Sequence, residues 1–308
     1  MWKNIAAHIS QVTGEKFEID SHRAVAGGCI NQGYRVTGGD CAARTLRDRT
    51  YFIKLNSASE IAMFAAEAEG LKQMHQTKTI RVPQPLCVGT EGNYAYIVME
   101  WLELGSGNSQ AWEEMGRQLA AMHRCTPPKV PENCGFGWDQ NNTIGSTPQI
   151  NTWTADWAEF FAKHRLGYQF KLARSRGGHF PQQDKLLAAI PELLASHQPQ
   201  ASLVHGDLWG GNAACTVTGE PVIIDPATYV GDREVDIAMT ELFGGLTAAF
   251  YRGYNEAFPL DTGYKKRKTL YNLYHILNHF NLYGPRTARK IGGGYGSQAN
   301  RMISEILA

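Results

Sequence analysis

The sequence predicts an α+β fold of two lobes, a small antiparallel-sheet lobe over residues 1–102 and a mainly helical lobe over residues 103–308. Three observations carry this expectation. At 308 residues the chain reaches the size at which single cores begin to divide. Its first hundred residues alternate short β-prone runs with turn formers. From about residue 109 onward, apolar residues recur at helical spacing instead.

Taken in order, Trp2, Ile5, Ile9 and Val12 form one stripe and predict an amphipathic first helix. Phe17–Ile19, Tyr34–Val36 and Tyr51–Leu55 read as strands. A helix is expected from about Ser59 to Met74, ended by Val82-Pro83-Gln84-Pro85, and Tyr94–Met99 reads as the next strand. Helices are then expected over Ser109–His123, Ala155–Phe170, Gln182–Ser196, Asp232–Phe258 and Lys265–Leu282, with two short apolar strands at Leu203–His205 and Val222–Ile224. The lobes meet near Glu100–Gly107.

Composition excludes several classes. Thirty Lys and Arg against 29 Asp and Glu give a net charge of +1, which argues against a nucleic-acid binder. No stretch approaches the roughly 18 uninterrupted apolar residues of a membrane span. Cysteines at 29, 41, 87, 125, 134 and 215 include no C-x-x-C pair, so they read as reduced thiols of a cytoplasmic protein. Lys265-Lys266-Arg267-Lys268 reads as a solvated helix start. His275 and His279 lack the Glu of H-E-x-x-H, and Trp153 and Trp157 read as core.

The most informative stretch is Leu203-Val204-His205-Gly206-Asp207-Leu208-Trp209-Gly210-Gly211-Asn212, followed by Val222-Ile223-Ile224-Asp225-Pro226. Protein kinases carry H-R-D-L-x-x-x-N and then a strand ending in the Asp of D-F-G, and the spacing here is the same. The chemistry explains it: phosphoryl transfer needs a carboxylate to take the proton of the attacking hydroxyl, and Mg²⁺ held by oxygen ligands against the phosphates. Asp207 is therefore expected as base, with Asn212 and Asp225 as Mg²⁺ ligands. Either fragment alone would pass for a turn; two apolar strands placing both together make the signal specific. The two-lobed fold expected is accordingly protein-kinase-like.

Such a kinase also needs a strand Lys for the α- and β-phosphates of ATP and a helix Glu to hold it. Lys54 stands alone in the β-prone run Tyr51-Phe52-Ile53-Lys54-Leu55. Of two candidate partners, Glu67 shares the face of Phe64, Leu71 and Met74, whereas Glu69 lies about 200° away, so Glu67 is expected. Gly27, Gly28, Cys29, Ile30 and Asn31 precede the Lys strand and could cradle phosphates with backbone N–H groups, although G-x-G-x-x-G is not matched. A thiol there could be reactive under local positive potential, making Cys29 a candidate redox link.

At these residues the sequence resembles the fructosamine-3-kinase (ketosamine-3-kinase) family, within the aminoglycoside phosphotransferase and choline kinase-like enzymes. The resemblance runs almost end to end. It is carried by Gly27-Gly28-Cys29-Ile30-Asn31, Met63–Leu71, Gly135-Phe136-Gly137-Trp138 through to Asn151-Thr152-Trp153, the loop His205–Asn212, Asp225-Pro226-Ala227 through Gly231-Asp232-Arg233-Glu234-Val235-Asp236 to Phe243, and Tyr271–His279. It implies ATP- and Mg²⁺-dependent phosphorylation of the 3-hydroxyl of a ketosamine, as a small molecule or on a glycated lysine, leading to release of the amine. Pro226-Ala227 stands where protein kinases have Phe-Gly and no A-P-E follows, so a protein-kinase activation segment is not expected.

With that resemblance, adenine is expected between the lobes at Met99, Glu100, Trp101 and Leu102. Trp209 is expected to offer the sugar an apolar face. Asp232 and Glu234 are candidate partners of the substrate ammonium or else caps of the following helix, and Asp236 is expected to brace the catalytic loop. No nucleic-acid or membrane partner is expected, and the chain is read as a monomer or weak dimer. The alternatives are a kinase of another small hydroxyl acceptor (aminoglycoside, choline, methylthioribose or homoserine type) and a silent pseudokinase.

Overall fold

The computed structural model describes residues 1–26, 30–40, 49–127, 130–287 and 294–308. Helix α1 (Trp2–Thr13) buries Ile5 and Ile9 and ends at Gly14 in the left-handed conformation, while Val12 stays exposed. Five strands follow, β1 (Glu18–Val25), β2 (Gln32–Gly39), β3 (Arg49–Ser57), β4 (Pro85–Glu91) and β5 (Tyr94–Glu100), in the antiparallel order β1-β2-β3-β5-β4. The sequence does not predict strand β4, because Pro83 and Pro85 signal a break. It is an edge strand that Pro85 opens, where a missing N–H costs no ladder bond.

The period-2 alternation of strands places Lys54. Ile53, Leu55, Tyr96 and Val98 join the small core with Ile5, Ile9 and Phe17, whereas Ile97 and Met99 face the larger core with Phe64, Leu71 and Met74 of α2 (Ile61–Gln76). Lys54, lying between Ile53 and Leu55, is thereby turned to the face that α2 covers. Helix α2 belongs to one continuous core with the helices that follow the sheet.

Those are α3 (Ser109–Arg124), α4 (Trp157–Phe160) running through a π-helical turn at Phe161–Gly167 into α5 (Tyr168–Ser175), α6 (Gln183–Leu193), α7 (Glu234–Leu242), α8 (Ala248–Ala257), α9 (Tyr264–Thr287) and α10 (Gly294–Ile306). The single helix expected over Asp232–Phe258 is two. Gly244 and Gly245 take φ of 93° and 76°, and Thr247 caps the new helix by accepting from the Phe250 N–H. Helices α3 and α8 approach so closely at Gly116 and Gly253 that a Cβ on Gly253 would lie 1.9 Å from the Glu113 carbonyl oxygen. Trp157 is core, as expected.

Short strands thread this body: β6 (Leu104–Gly105), the hairpin β7 (Asn142–Ile144) and β8 (Thr147–Gln149), then β9 (Ala201–Val204), β10 (Ala213–Thr216), β11 (Pro221–Ile223) and β12 (Tyr229–Asp232). Strand β10 lies between β11 and β6, and β12 pairs with β9. Residues 224–228 alone link β11 to β12. Among the described residues no helix is long and apolar enough to cross a membrane.

Candidate active site

A cavity of about 500 Å³ opens where the sheet, the β9–β10 loop, the β7–β8 hairpin and α9 converge. Lys54, Glu67, Asp207, Asn212 and Asp225, drawn from both lobes, all line it, with Ile30, Asn31 and Trp209. The Lys54 Nζ donates to Glu67 Oε1 at 2.6 Å and to Asp225 Oδ1 at 2.6 Å. Burial opposes the charge on Lys54, but the carboxylates of Asp225 and Glu67 outweigh it and hold its pKa above the ordinary lysine value. Glu67, not Glu69, is the partner.

The loop carrying Asp207 is fixed from three sides. His205 donates from Nε2 to the Ile224 carbonyl at 2.8 Å, so its Nδ1 is the acceptor for the Asp207 N–H at 3.2 Å. Burial lowers its pKa and keeps the imidazole neutral. The buried Asp236 carboxylate accepts from the N–H groups of His205 at 2.7 Å and Gly206 at 2.8 Å, and its Oδ2 lies 3.1 Å from His123 Nε2. Gly206, at φ 81°, leaves no room for a side chain: a Cβ would come 2.2 Å from the Ala227 oxygen.

Asn212 Nδ2 donates to the Asp207 carbonyl at 2.9 Å and faces its Oδ2 at 3.3 Å. Burial first, then the negative charges of Asp225 and Asp236, raise the Asp207 carboxyl well above the ordinary carboxylate range. Among the described lining residues, three carboxylates (Glu67, Asp207, Asp225) face one ammonium (Lys54). That excess of negative charge, with hard oxygen donors at Asp225 and Asn212, fits a bound Mg²⁺.

Asp225 itself has φ of 56°, a left-handed conformation unusual for a residue with a side chain. Ile30 and Asn31 border the cavity, and Asn31 Oδ1 accepts from Asn56 Nδ2 at 2.8 Å. Gly27, Gly28 and Cys29 lie outside the described residues.

Two expectations need correction, and the residues expected around adenine lie off the cavity wall. Asp232 and Glu234 are not on the cavity wall: they are 1% and 2% exposed and locked in a buried network. Asp232 Oδ2 accepts from Tyr271 at 2.7 Å and lies 2.7 Å from His197 Nε2, its Oδ1 accepts from the Glu234 N–H at 3.0 Å, and Glu234 holds Arg267 through two bonds of 2.7 Å. Nor do Met99, Glu100, Trp101 and Leu102 line it. Met99 is packed in the core, Glu100 pairs with Arg81, Trp101 stacks near Arg35, and Phe52, the ladder partner of Met99, forms the wall instead. Arg267, read as part of a solvated helix start, is the buried partner of Glu234 and also bonds Asp261.

Sequence reasoning missed the far wall, which is built by Asn142, Thr143 and Gly145 of the hairpin together with Phe243, His279, Tyr283 and Tyr295. His279 donates from Nδ1 to the His275 carbonyl at 2.8 Å, as an i,i+4 pair on a helix permits, and its ring stands 4.8 Å from that of Phe243 and 5.2 Å from that of Tyr295. The signal in the sequence is the histidine spacing, which suits a cavity wall as well as a zinc site.

A model of the fructosamine kinase family matches residues 1–308. A probable ketoamine kinase of Synechocystis sp. is 53% identical over 306 residues, covering 99% of this chain and 97% of the relative. A chloroplastic protein-ribulosamine 3-kinase of Arabidopsis thaliana is 41% identical over 303 residues, covering 96% and 85%. The crystal structure of a provisionally named fructosamine-3-kinase from Haemophilus somnus superposes with a TM-score of 0.87 at 29% identity, covering 100% and 98%. A choline kinase of Streptococcus pneumoniae shares the fold at 14% identity, with a TM-score of 0.60 over 99% and 98%.

Proposed function

The chain belongs to the fructosamine kinase family, and on that premise we propose that it transfers the γ-phosphoryl group of ATP to the 3-hydroxyl of ketosamines, fructosamine or ribulosamine type, as free metabolites or on glycated lysine. The observation that carries this is the Lys54 ammonium bonded at once to Glu67 and Asp225 in a cavity that Asp207 and Asn212 also line.

In this reading Lys54 binds the α- and β-phosphates, residues 27–31 serve as the phosphate-binding segment, and the nucleotide base lies toward Phe52. Asp225 and Asn212 would hold Mg²⁺, which when bound neutralises charge on the β- and γ-phosphates. Asp207 orients the acceptor hydroxyl and takes its proton at the carboxylate as the oxygen attacks. Trp209, 40% exposed at the cavity mouth, covers one face of the sugar. The lobe boundary is placed between residues 102 and 103, so that β6 onward belongs with the acceptor lobe. The protein works in the cytoplasm, as a monomer or weak dimer, with Cys29 as its candidate redox link.

The test is a coupled ATPase assay with fructosamine- and ribulosamine-lysine, choline and kanamycin. Turnover with a ketosamine is expected; turnover with choline or kanamycin alone would overturn the reading.

A further inference from the structure

Arg165, in the π-helical turn, is wholly buried, and its partners among the described residues are carbonyl and amide oxygens rather than carboxylates. Its guanidinium lies 3.9 Å from the ring centre of Tyr229 and 4.6 Å from that of Phe160. A buried cation without a counter-ion is costly unless its donors are used. Here Nη1 donates to the Ile150 carbonyl at 2.6 Å and Nη2 to Asn151 Oδ1 at 2.8 Å, while Nε is left without a partner.

Beyond Asn151 the bonds run as a directed chain of amides. Guanidinium is donor-only, so it obliges Asn151 to present its oxygen and send its Nδ2–H groups onward. Asn151 Nδ2 donates to Asn142 Oδ1 at 2.8 Å, which turns Asn142 so that its own Nδ2 donates to the Thr228 carbonyl at 2.8 Å. In parallel, Tyr274 donates to Gln149 Oε1 at 2.7 Å, and Gln149 Nε2 donates to Asn142 Oδ1 and to the Ala227 carbonyl, both at 2.9 Å. Both receiving carbonyls lie within three residues of Asp225, whose left-handed backbone persists only if its surroundings over-determine it.

We propose that Arg165 is a positioning residue for the metal-binding turn: by setting the polarity of Asn151 and Asn142 it pins Thr228, beside the Tyr274–Gln149 arm that pins Ala227, and so holds the Asp225 carboxylate in place. This rests on the role given above to Asp225 and Asn212. It assigns catalytic importance to a side chain that touches neither nucleotide nor acceptor, and to the hairpin that carries the relay.

The discriminating change is Asn151→Asp. A carboxylate still accepts from Arg165, now as an ion pair, but has no N–H to give Asn142, so the relay fails while the packing is kept. The probe is Mn²⁺, titrated by electron paramagnetic resonance in the presence of a non-hydrolysable ATP analogue, with analogue binding in EDTA measured alongside. Asn151→Asp and Arg165→Lys are each expected to weaken Mn²⁺ about 10-fold or more, the effect typical of lost outer partners of metal ligands, and to leave metal-free analogue binding within about twofold. Asn142→Asp, which still accepts from Asn151 but loses the donor to Thr228, replaces either variant that does not fold. Mn²⁺ affinity unchanged in folded variants, or analogue binding lost in equal measure, would overturn the proposal. Absence of Mn²⁺ binding in the unaltered protein would instead overturn the assignment of Asp225 and Asn212.

Discussion

Two acidic clusters in this molecule look alike in sequence and differ in what their oxygens bond. The cavity cluster sets Glu67, Asp207 and Asp225 against Lys54 alone, and Asp207 is pushed toward its neutral form by burial and by its neighbours. The second, which begins at Asp232, sets Asp232, Glu234 and Asp261 against Arg267 and His197, and hydrogen bonds to Tyr271 and a backbone N–H take up Asp232. His197, Glu234 and Asp261 even stand close enough to suggest a cation site, but Arg267 already bonds Glu234 and Asp261. Carboxylates that face a void mark the place where a ligand completes the structure; carboxylates whose oxygens are already taken up by Arg267, His197, Tyr271 and a backbone N–H mark a brace.

The contrast is sharpest under mutation. Asp207→Ala should lower kcat with a ketosamine by about 10³-fold while nucleotide affinity and the thermal midpoint stay near their original values; unchanged turnover would remove Asp207 as the base. In the brace the order reverses. Arg267→Met leaves Glu234 buried and unpaired, and should cost about 3 kcal/mol in urea unfolding with KM for the ketosamine within about twofold. Asp232→Asn should cost about 1–2 kcal/mol, again without a change in KM; a large KM increase would restore Asp232 as a substrate ligand.

The smallest effect is on pH dependence. Burial disfavours the charge on His197, but its bond to Asp232 and the charges of Asp232 and Glu234 prevail over burial and the opposing Arg267, leaving its pKa above the ordinary histidine value. A group raised in the folded state contributes fully below the unfolded pKa, about 6.5, and loses that contribution as pH climbs through the folded value. Unfolding free energy should therefore fall as pH rises from about 6.5 through the folded value, and fall less steeply in His197→Gln. Equal slopes would exclude His197 as the source.

The cavity cluster was legible because its signals are local and compound: a loop and a strand with fixed offsets bring Asp207, Asn212 and Asp225 to one wall, and helical phase alone chooses Glu67 over Glu69 as the partner of Lys54. Periodicity likewise found α1, α2, α3 and most of the sheet. What was not legible depends on partners distant in the chain. Asp232 and Glu234 looked available because Tyr271 and Arg267, which occupy them, stand 39 and 33 residues later. The hairpin at Asn142–Gln149 was visible only as part of a family resemblance, since three-residue strands carry almost no pattern. Strand β4 was hidden by prolines, and α10 by the glycine-rich run before it.

The link between β11 and β12 has a consequence for control. Within residues 224–228 it must carry Asp225, turn through a left-handed backbone and present two carbonyls to the relay. Its backbone is tied at both ends as well: the Ile224 carbonyl accepts from His205 Nε2, and the Ala227 N–H donates to the His205 carbonyl. At this point in the molecule the chain carries no separate gate, so control, the candidate redox link at Cys29 included, would have to act elsewhere.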